Sequence, residues 1–153
     1  MRRLTHVDAS GRARMVDVGE KPLVRRVARA AGEISLSREA RVLVARNRVK
    51  KGDVLAVAQI AGLQAAKRTA GLIPLCHPIP LDHVGVQLRL TRRGVAAEAE
   101  VRTVGRTGVE MEALTAVSVA LLTVYDMCKA VDPRMRIGGI RLLSKEKSDV
   151  PVL

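Results

Sequence analysis

The sequence predicts an α+β domain of the ferredoxin-like, split-βαβ type: a four-stranded antiparallel sheet with helices on one face plus one extra helix. Three observations predict it. Residues 84–90 and 95–102 alternate apolar and polar side chains around Thr91-Arg92-Arg93-Gly94, which reads as a β-hairpin. Between Glu112 and Asp126 no residue is charged, so this stretch reads as a helix buried on most sides. Strand-like segments flank these features, one ending near Ser35 and one built from Met135, Arg136, Ile137 and residues 140–143. The resulting order, β-α-α-β-β-α-β, places a hairpin between helical crossovers.

In order along the chain, residues 1–20 show little periodicity and read as an irregular N-terminal arm. Residues 22–36 carry Val24, Val27, Ala28, Ala30, Ile34 and Leu36; alternation from Arg29 onward favours a strand, although residues 25–31 also suit a helix. Ser37, with Glu39 in the following turn, is an N-cap signal for a helix over 38–46 with Val42, Leu43 and Ala45 inward. Asp53 caps a second helix over 54–70, with Gly71 beyond its end. Its apolar face is Val54, Val57, Ala58, Ala61 and Ala65, and Lys67 and Arg68 suit the helix dipole in its last turn. Pro74, Pro78 and Pro80 exclude a helix interior or central strand, leaving a stiff apolar loop around Cys76 and His77. After the long helix, Asp132-Pro133 stops the chain, Gly138-Gly139 interrupts the last strand, and residues 144–153 read as a charged, frayed tail.

Composition narrows the function. A chain of 153 residues, 48% of them apolar, is most simply one globular domain spanning 1–153. With one Tyr and no Phe or Trp, it lacks the aromatic platform on which single-stranded nucleic acids stack. The formal charge of +12 admits two readings: a nucleic-acid footprint, or a pocket for a small polyanion on an Arg-rich surface. The basic residues are scattered, not collected in one run. Cys76 and Cys128 have no C-x-x-C spacing and read as reduced, packed thiols. Residues 1–6 contain no apolar core after their positive charges, so no signal peptide and a cytoplasmic location are expected. The uncharged helical stretch is shorter than the about 20 residues of a membrane span.

Several groups could carry chemistry. Glu112 and Asp126 lie 14 positions apart, on one helix face to within about 40°, but roughly 21 Å apart along the axis. Asp126 and Lys129 are either a surface ion pair or, if partly buried where the helix leaves the core, an acid–base pair with shifted pKa values. His77 is either a hydrogen-bonded loop histidine or a catalytic or substrate-binding imidazole. Gly105-Arg106-Thr107-Gly108 before the helix has the form of a phosphate cradle, yet Glu110 and Glu112 would repel phosphate there. The P-loop pattern is missing, and no spacing of His, Cys and acidic residues suits a metal. Lys50, Lys51, Lys67 and Arg68 flank the second helix at its two ends, and together suit a triphosphate.

Seven segments run in an order that resembles the MoaC family of molybdenum-cofactor biosynthesis proteins. They are Leu4-Thr5-His6-Val7-Asp8, Met15-Val16-Asp17-Val18, Lys51-Gly52-Asp53-Val54, residues 60–69, Ile73-Pro74-Leu75-Cys76-His77-Pro78, residues 107–116, and Tyr125-Asp126-Met127-Cys128-Lys129-Ala130. Arg106 stands where the family pattern suggests lysine, keeping the charge but not the shape. The resemblance implies a lyase that converts 3′,8-cyclo-7,8-dihydroguanosine 5′-triphosphate to cyclic pyranopterin monophosphate with release of diphosphate. It implies no metal or organic cofactor, no membrane or stable nucleic-acid partner, and a homohexamer built as a trimer of dimers with the site at a subunit interface. By position, Asp126 would be catalytic with Lys129 and Lys51. Leu75, Cys76, His77, Met111 and Glu112 would bind substrate, with Lys67 and Arg68 as further substrate-binding residues. The competing class is a small basic nucleic-acid-binding module.

Overall fold

The computed structural model describes Val7 and residues 10–150; the expectations for residues 1–6, 8–9 and 151–153 lie outside these. Eight elements follow in order: β1 (Val24–Ser35), α1 (Arg38–Ala45), α2 (Val54–Ala66), α3 (Thr69–Leu72), β2 (His83–Leu90), β3 (Gly94–Gly105), α4 (Glu110–Cys128) and β4 (Ile137–Ser148). The sheet order is β2-β3-β1-β4, with every neighbouring pair antiparallel. This is the split-βαβ arrangement the pattern predicts, and β1 is a strand throughout.

One face of the sheet carries Ala28, Ala30 and Ile34 of β1 opposite Val101, Ala99 and Val95 of β3, all buried. The other face carries Arg29 and Glu100, paired at 2.5 Å. Without aromatic side chains, the interior is filled by close approach. Small residues line the sheet, and α4 drops Val117, Leu121 and Val124, none of them accessible, onto it. A Cβ on Gly32 would stand 3.0 Å from Leu121 and Val117. Helix α2 lies beside α4 and runs antiparallel to it. Lys51, just before α2, meets Asp126 in the last turn of α4. Gly62 meets the Ala116 carbonyl oxygen, which a Cβ would approach to 2.9 Å. α4 is long and apolar enough to cross a membrane by length and composition alone, longer than the uncharged stretch suggested. Here its buried side is taken up by the sheet and α2.

Several boundaries and faces differ from expectation. α1 turns Ala40 and Val44 inward, while Val42 and Ala45 are exposed. α2 buries Val54, Ala58, Gly62, Ala65 and Ala66, leaving Val57 exposed. It stops at Ala66, and the chain re-forms one short turn, α3, that contains Gly71. Thr69 sits at the break, its buried hydroxyl donating to the Ala65 and Ala66 carbonyls. Strand β4 continues to Ser148, because residues 144–148 pair with residues 25–29 of β1. The Gly138-Gly139 interruption is a bulge within one continuous strand, with Gly139 at φ 63°. Asp132 is more than a helix stop. Buried to 6% exposure, it accepts from the Ser37 N–H at 2.5 Å, tying the start of α1 to the end of α4.

Candidate active site

The two ends of α4 carry two different groups. At its start lies a cleft of about 310 Å³ with three walls. Leu75, Cys76, His77 and Ile79 come from the proline-rich loop, Thr107, Gly108, Glu110, Met111 and Glu112 from the approach and first turn of α4, and Val16, Val18 and Lys21 from the N-terminal arm. The loop holds its shape through bonds to β3: Thr103 Oγ1 donates to the Pro80 carbonyl at 2.6 Å, and the Val104 N–H to Asp82 at 2.7 Å. His77 Nε2 lies 2.8 Å from the Val16 carbonyl oxygen, so it carries the proton and donates, which makes Nδ1 the acceptor.

Electrostatically the cleft is unlike an open phosphate cradle. The carboxylate of Glu110 folds back over Gly108, filling the space a Cβ would need there, and also pairs with Lys145 Nζ at 3.2 Å. Glu112 is 4% exposed. Burial pushes its carboxyl pKa above the ordinary value, with the Glu110 charge adding to the shift and a backbone hydrogen bond opposing it. Burial likewise raises the Cys76 thiol, with a further push from Glu112. That thiol is a packed wall group and not an activated nucleophile.

At the far end of α4, Asp126 stands between two ammonium groups. Lys129 Nζ lies 2.8 Å from Oδ1, and Lys51 Nζ lies 2.6 Å from Oδ2 and 3.0 Å from the Asp126 carbonyl oxygen. Lys51 is presented by the turn that ends at Gly52, whose φ of 99° needs glycine, and Asp53 then caps α2 by accepting from Ala56 N–H at 3.0 Å. All three side chains are about half exposed, so partial burial does not tune them as anticipated. Hydrogen bonds from Lys129, then Lys51, hold the Asp126 carboxyl down at about 2, and the same contact raises Lys129. Tyr125 sits beside this trio, half-buried against the core, its carbonyl accepting from Lys129 N–H at 2.9 Å.

The structure therefore gathers Leu75, Cys76, His77, Met111 and Glu112 at one end of α4, and Lys51, Asp126 and Lys129 at the other. Lys67 and Arg68 join neither group. Lys67 caps α2 and lines a neighbouring recess of about 560 Å³ with Ile79 and residues 81–84; Arg68 follows it, exposed. The cations flanking α2 are a helix length apart, about 20 Å at 1.5 Å per residue. A single triphosphate cannot span them within one chain. Another recess of about 310 Å³ lies on the outer sheet face, but its Arg29 and Glu100 already pair with each other. Among the described residues, no three His, Cys, Asp or Glu side chains converge as a metal site.

Sequence reasoning missed three contributors to the cleft. Lys21 lies on an aperiodic arm with no motif to mark it. Lys145 fell within the expected frayed tail. Glu110 read as a group that would repel phosphate at the helix start, not as one lying across Gly108.

A family model described as the MoaC family matches residues 15–148. The cyclic pyranopterin monophosphate synthase of Cereibacter sphaeroides (strain KD131 / KCTC 12085) is 60% identical over 145 residues, 94% of this chain and 91% of that protein. The synthase of Roseiflexus sp. (strain RS-1) is 60% identical over 144 residues, 93% and 91% of the two chains. Molybdenum cofactor biosynthesis protein 1 of Drosophila melanogaster is also 60% identical over 144 residues, which make up 26% of its length.

Proposed function

The chain belongs to the MoaC family, and on that premise we propose that it is a cyclic pyranopterin monophosphate synthase, a lyase of molybdenum-cofactor biosynthesis. It would rearrange 3′,8-cyclo-7,8-dihydroguanosine 5′-triphosphate to cyclic pyranopterin monophosphate and release diphosphate. The observation that carries the reading is Asp126 held between Lys51 and Lys129 on a helix whose other end forms a cleft. Opening a guanine-derived ring and closing a pyrazine requires proton transfers, which Asp and Lys supply. Closing a cyclic phosphate while expelling diphosphate develops charge on phosphoryl oxygens, which ammonium groups stabilise.

The ion pairs suggest how these tasks are linked. An Asp126 carboxyl held at about 2 is a weak base. When phosphoryl oxygens take up the N–H donors of Lys129 and Lys51, the hydrogen bonds that depress Asp126 are lost and its basicity rises. Leu75, Cys76, His77, Met111 and Glu112 would hold the heterocycle, with His77 offering Nδ1. Lys67 and Arg68 extend the positive field beside the cleft.

The two groups are too far apart along α4 for one small substrate to reach both within a chain. Each site is therefore completed by a second subunit across a two-fold axis, within the trimer-of-dimers hexamer that the family pattern implies. Two free thiols, Cys76 and Cys128, suit a reducing cytoplasm.

Incubation with the cyclic dihydroguanosine triphosphate and measurement of diphosphate tests the reading. Release by the unaltered protein, lowered by about 10²–10⁴ in Asp126→Asn, is expected. A protein that binds this substrate without releasing diphosphate would be a binding protein instead.

A further inference from the structure

Lys21 is the only lysine or arginine among the described residues that line the cleft. It has no carboxylate within ion-pair distance among them, and its side chain is exposed. The two acidic groups of the same cleft are already occupied or held back: Glu110 pairs with Lys145, and Glu112 is buried.

The mounting of Lys21 is unusually complete for an arm without regular structure. The Gly19 N–H donates to Asp17 Oδ1 at 2.8 Å, and the Lys21 N–H to the Val18 carbonyl at 3.1 Å, closing a compact turn. Two side chains from the body of the fold grip the backbone on either side of Val18. His77 Nε2 donates to the Val16 carbonyl at 2.8 Å, and the Arg106 guanidinium donates to the Gly19 carbonyl. The loop that carries Arg106 is itself held, because Arg26 donates to the carbonyls of Gly105 and Arg106, each at 3.1 Å. β1 begins three residues after Lys21. A flexible lysine would lose most of its attraction for an anion to the entropy of ordering; one carried on a pinned turn loses less.

We propose that residues 16–21 form a strap along the cleft whose working group is Lys21, a binding residue for the phosphate groups of the substrate. Arg106, and His77 through Nε2, are positioning residues that hold the strap in place. The inference rests on the proposed synthase activity for the identity of the anion, but not for the presence of a cation at this wall. The contact at position 106 needs only an N–H donor that reaches the Gly19 carbonyl, so arginine and lysine both serve there.

The test combines steady-state diphosphate release with binding of inorganic diphosphate to the whole protein at several salt concentrations. Lys21→Ala should raise KM and weaken diphosphate binding by about tenfold, the worth of one charge-assisted hydrogen bond, with a shallower salt dependence. Its kcat should stay within about twofold, and Lys21→Arg should recover most of the binding. Arg106→Ala should raise KM in the same direction, and Arg106→Lys should restore it. Unchanged KM and unchanged diphosphate affinity in Lys21→Ala would overturn the proposal. So would a loss of binding in Lys21→Ala that Lys21→Arg leaves unrepaired. Absence of turnover in the unaltered protein would count against the synthase reading alone, since the diphosphate-binding arm still decides the role of Lys21.

Discussion

Asp126 and Glu112 are both carboxyl groups of α4, and their surroundings drive them in opposite directions. Asp126 is exposed and held between ammonium groups, so its folded pKa of about 2 lies below the ordinary 3.8. Its contribution to stability is fully present above 3.8 and is lost as pH falls from there through 2. Lys129 is raised, so its share is present below 10.5 and is lost as pH climbs through its folded value. Removing one donor should show this directly: in Lys129→Ala, carbon-detected NMR titration should find the Asp126 carboxyl moved up towards 3.8. Glu112 is buried, and its pKa is raised. Ionising it in the folded state costs free energy above its folded pKa, a cost that vanishes as pH falls towards 4.5. Glu112→Gln should therefore stabilise the fold by about 1 kcal/mol at pH 7 and by much less near pH 4, read by denaturant melts at the two pH values. Of these groups, Asp126, Lys129 and Glu112 were legible in the sequence because a charge at the border of a long uncharged run has few bland explanations. Lys21 was not, because its importance comes from backbone grips 61 and 87 residues distant in sequence.

The elements themselves followed from periodicity where one face is buried and the other is wet. The hairpin alternates for that reason, and its register pairs residue for residue from His83↔Arg102 to Leu90↔Val95. Periodicity failed where helices are nearly free of charge. α2 has no charged residue at all, so its apolar positions do not tell which side is inward; the inward side is marked by its small residues, Ala58, Gly62, Ala65 and Ala66. The end of α2 was missed for a different reason: the chain re-forms a helical turn at Thr69–Leu72 directly after it, so the apolar pattern runs on past the break. Close packing of α2 on α4 makes a sharp prediction. Gly62→Ala, normally favourable in a helix, should here destabilise by about 1–3 kcal/mol, because its methyl group meets the Ala116 carbonyl oxygen, Val86 and Ala120. Thermal unfolding checks the sign. β4 was under-read because its last residues, Ser144 to Ser148, are charged or polar on both faces, as an edge strand tolerates.

At the scale of the whole molecule, the antiparallel lie of α2 and α4 decides which side chains would complement one another between the subunits of the proposed dimer. Lys51 and Asp126 belong to the same cluster of the same chain, so a mixture of Lys51→Ala and Asp126→Ala chains should stay inactive. In the proposed dimer, a mixture of Asp126→Ala with Glu112→Ala chains would pair an intact cleft with an intact cluster across the two-fold axis. After subunit exchange it should regain about a quarter of the unaltered activity, because half of the randomly formed dimers are mixed and one site in each is whole. Diphosphate release before and after exchange measures it; no recovery would mean that each chain works alone. The aliphatic interior has one more consequence. Tyr125 is the sole aromatic residue in the chain and stands next to Asp126, so near-ultraviolet emission has one source, located beside the Asp126–Lys129 pair. Occupancy of that end of α4 can be followed optically, in the native protein and without a label.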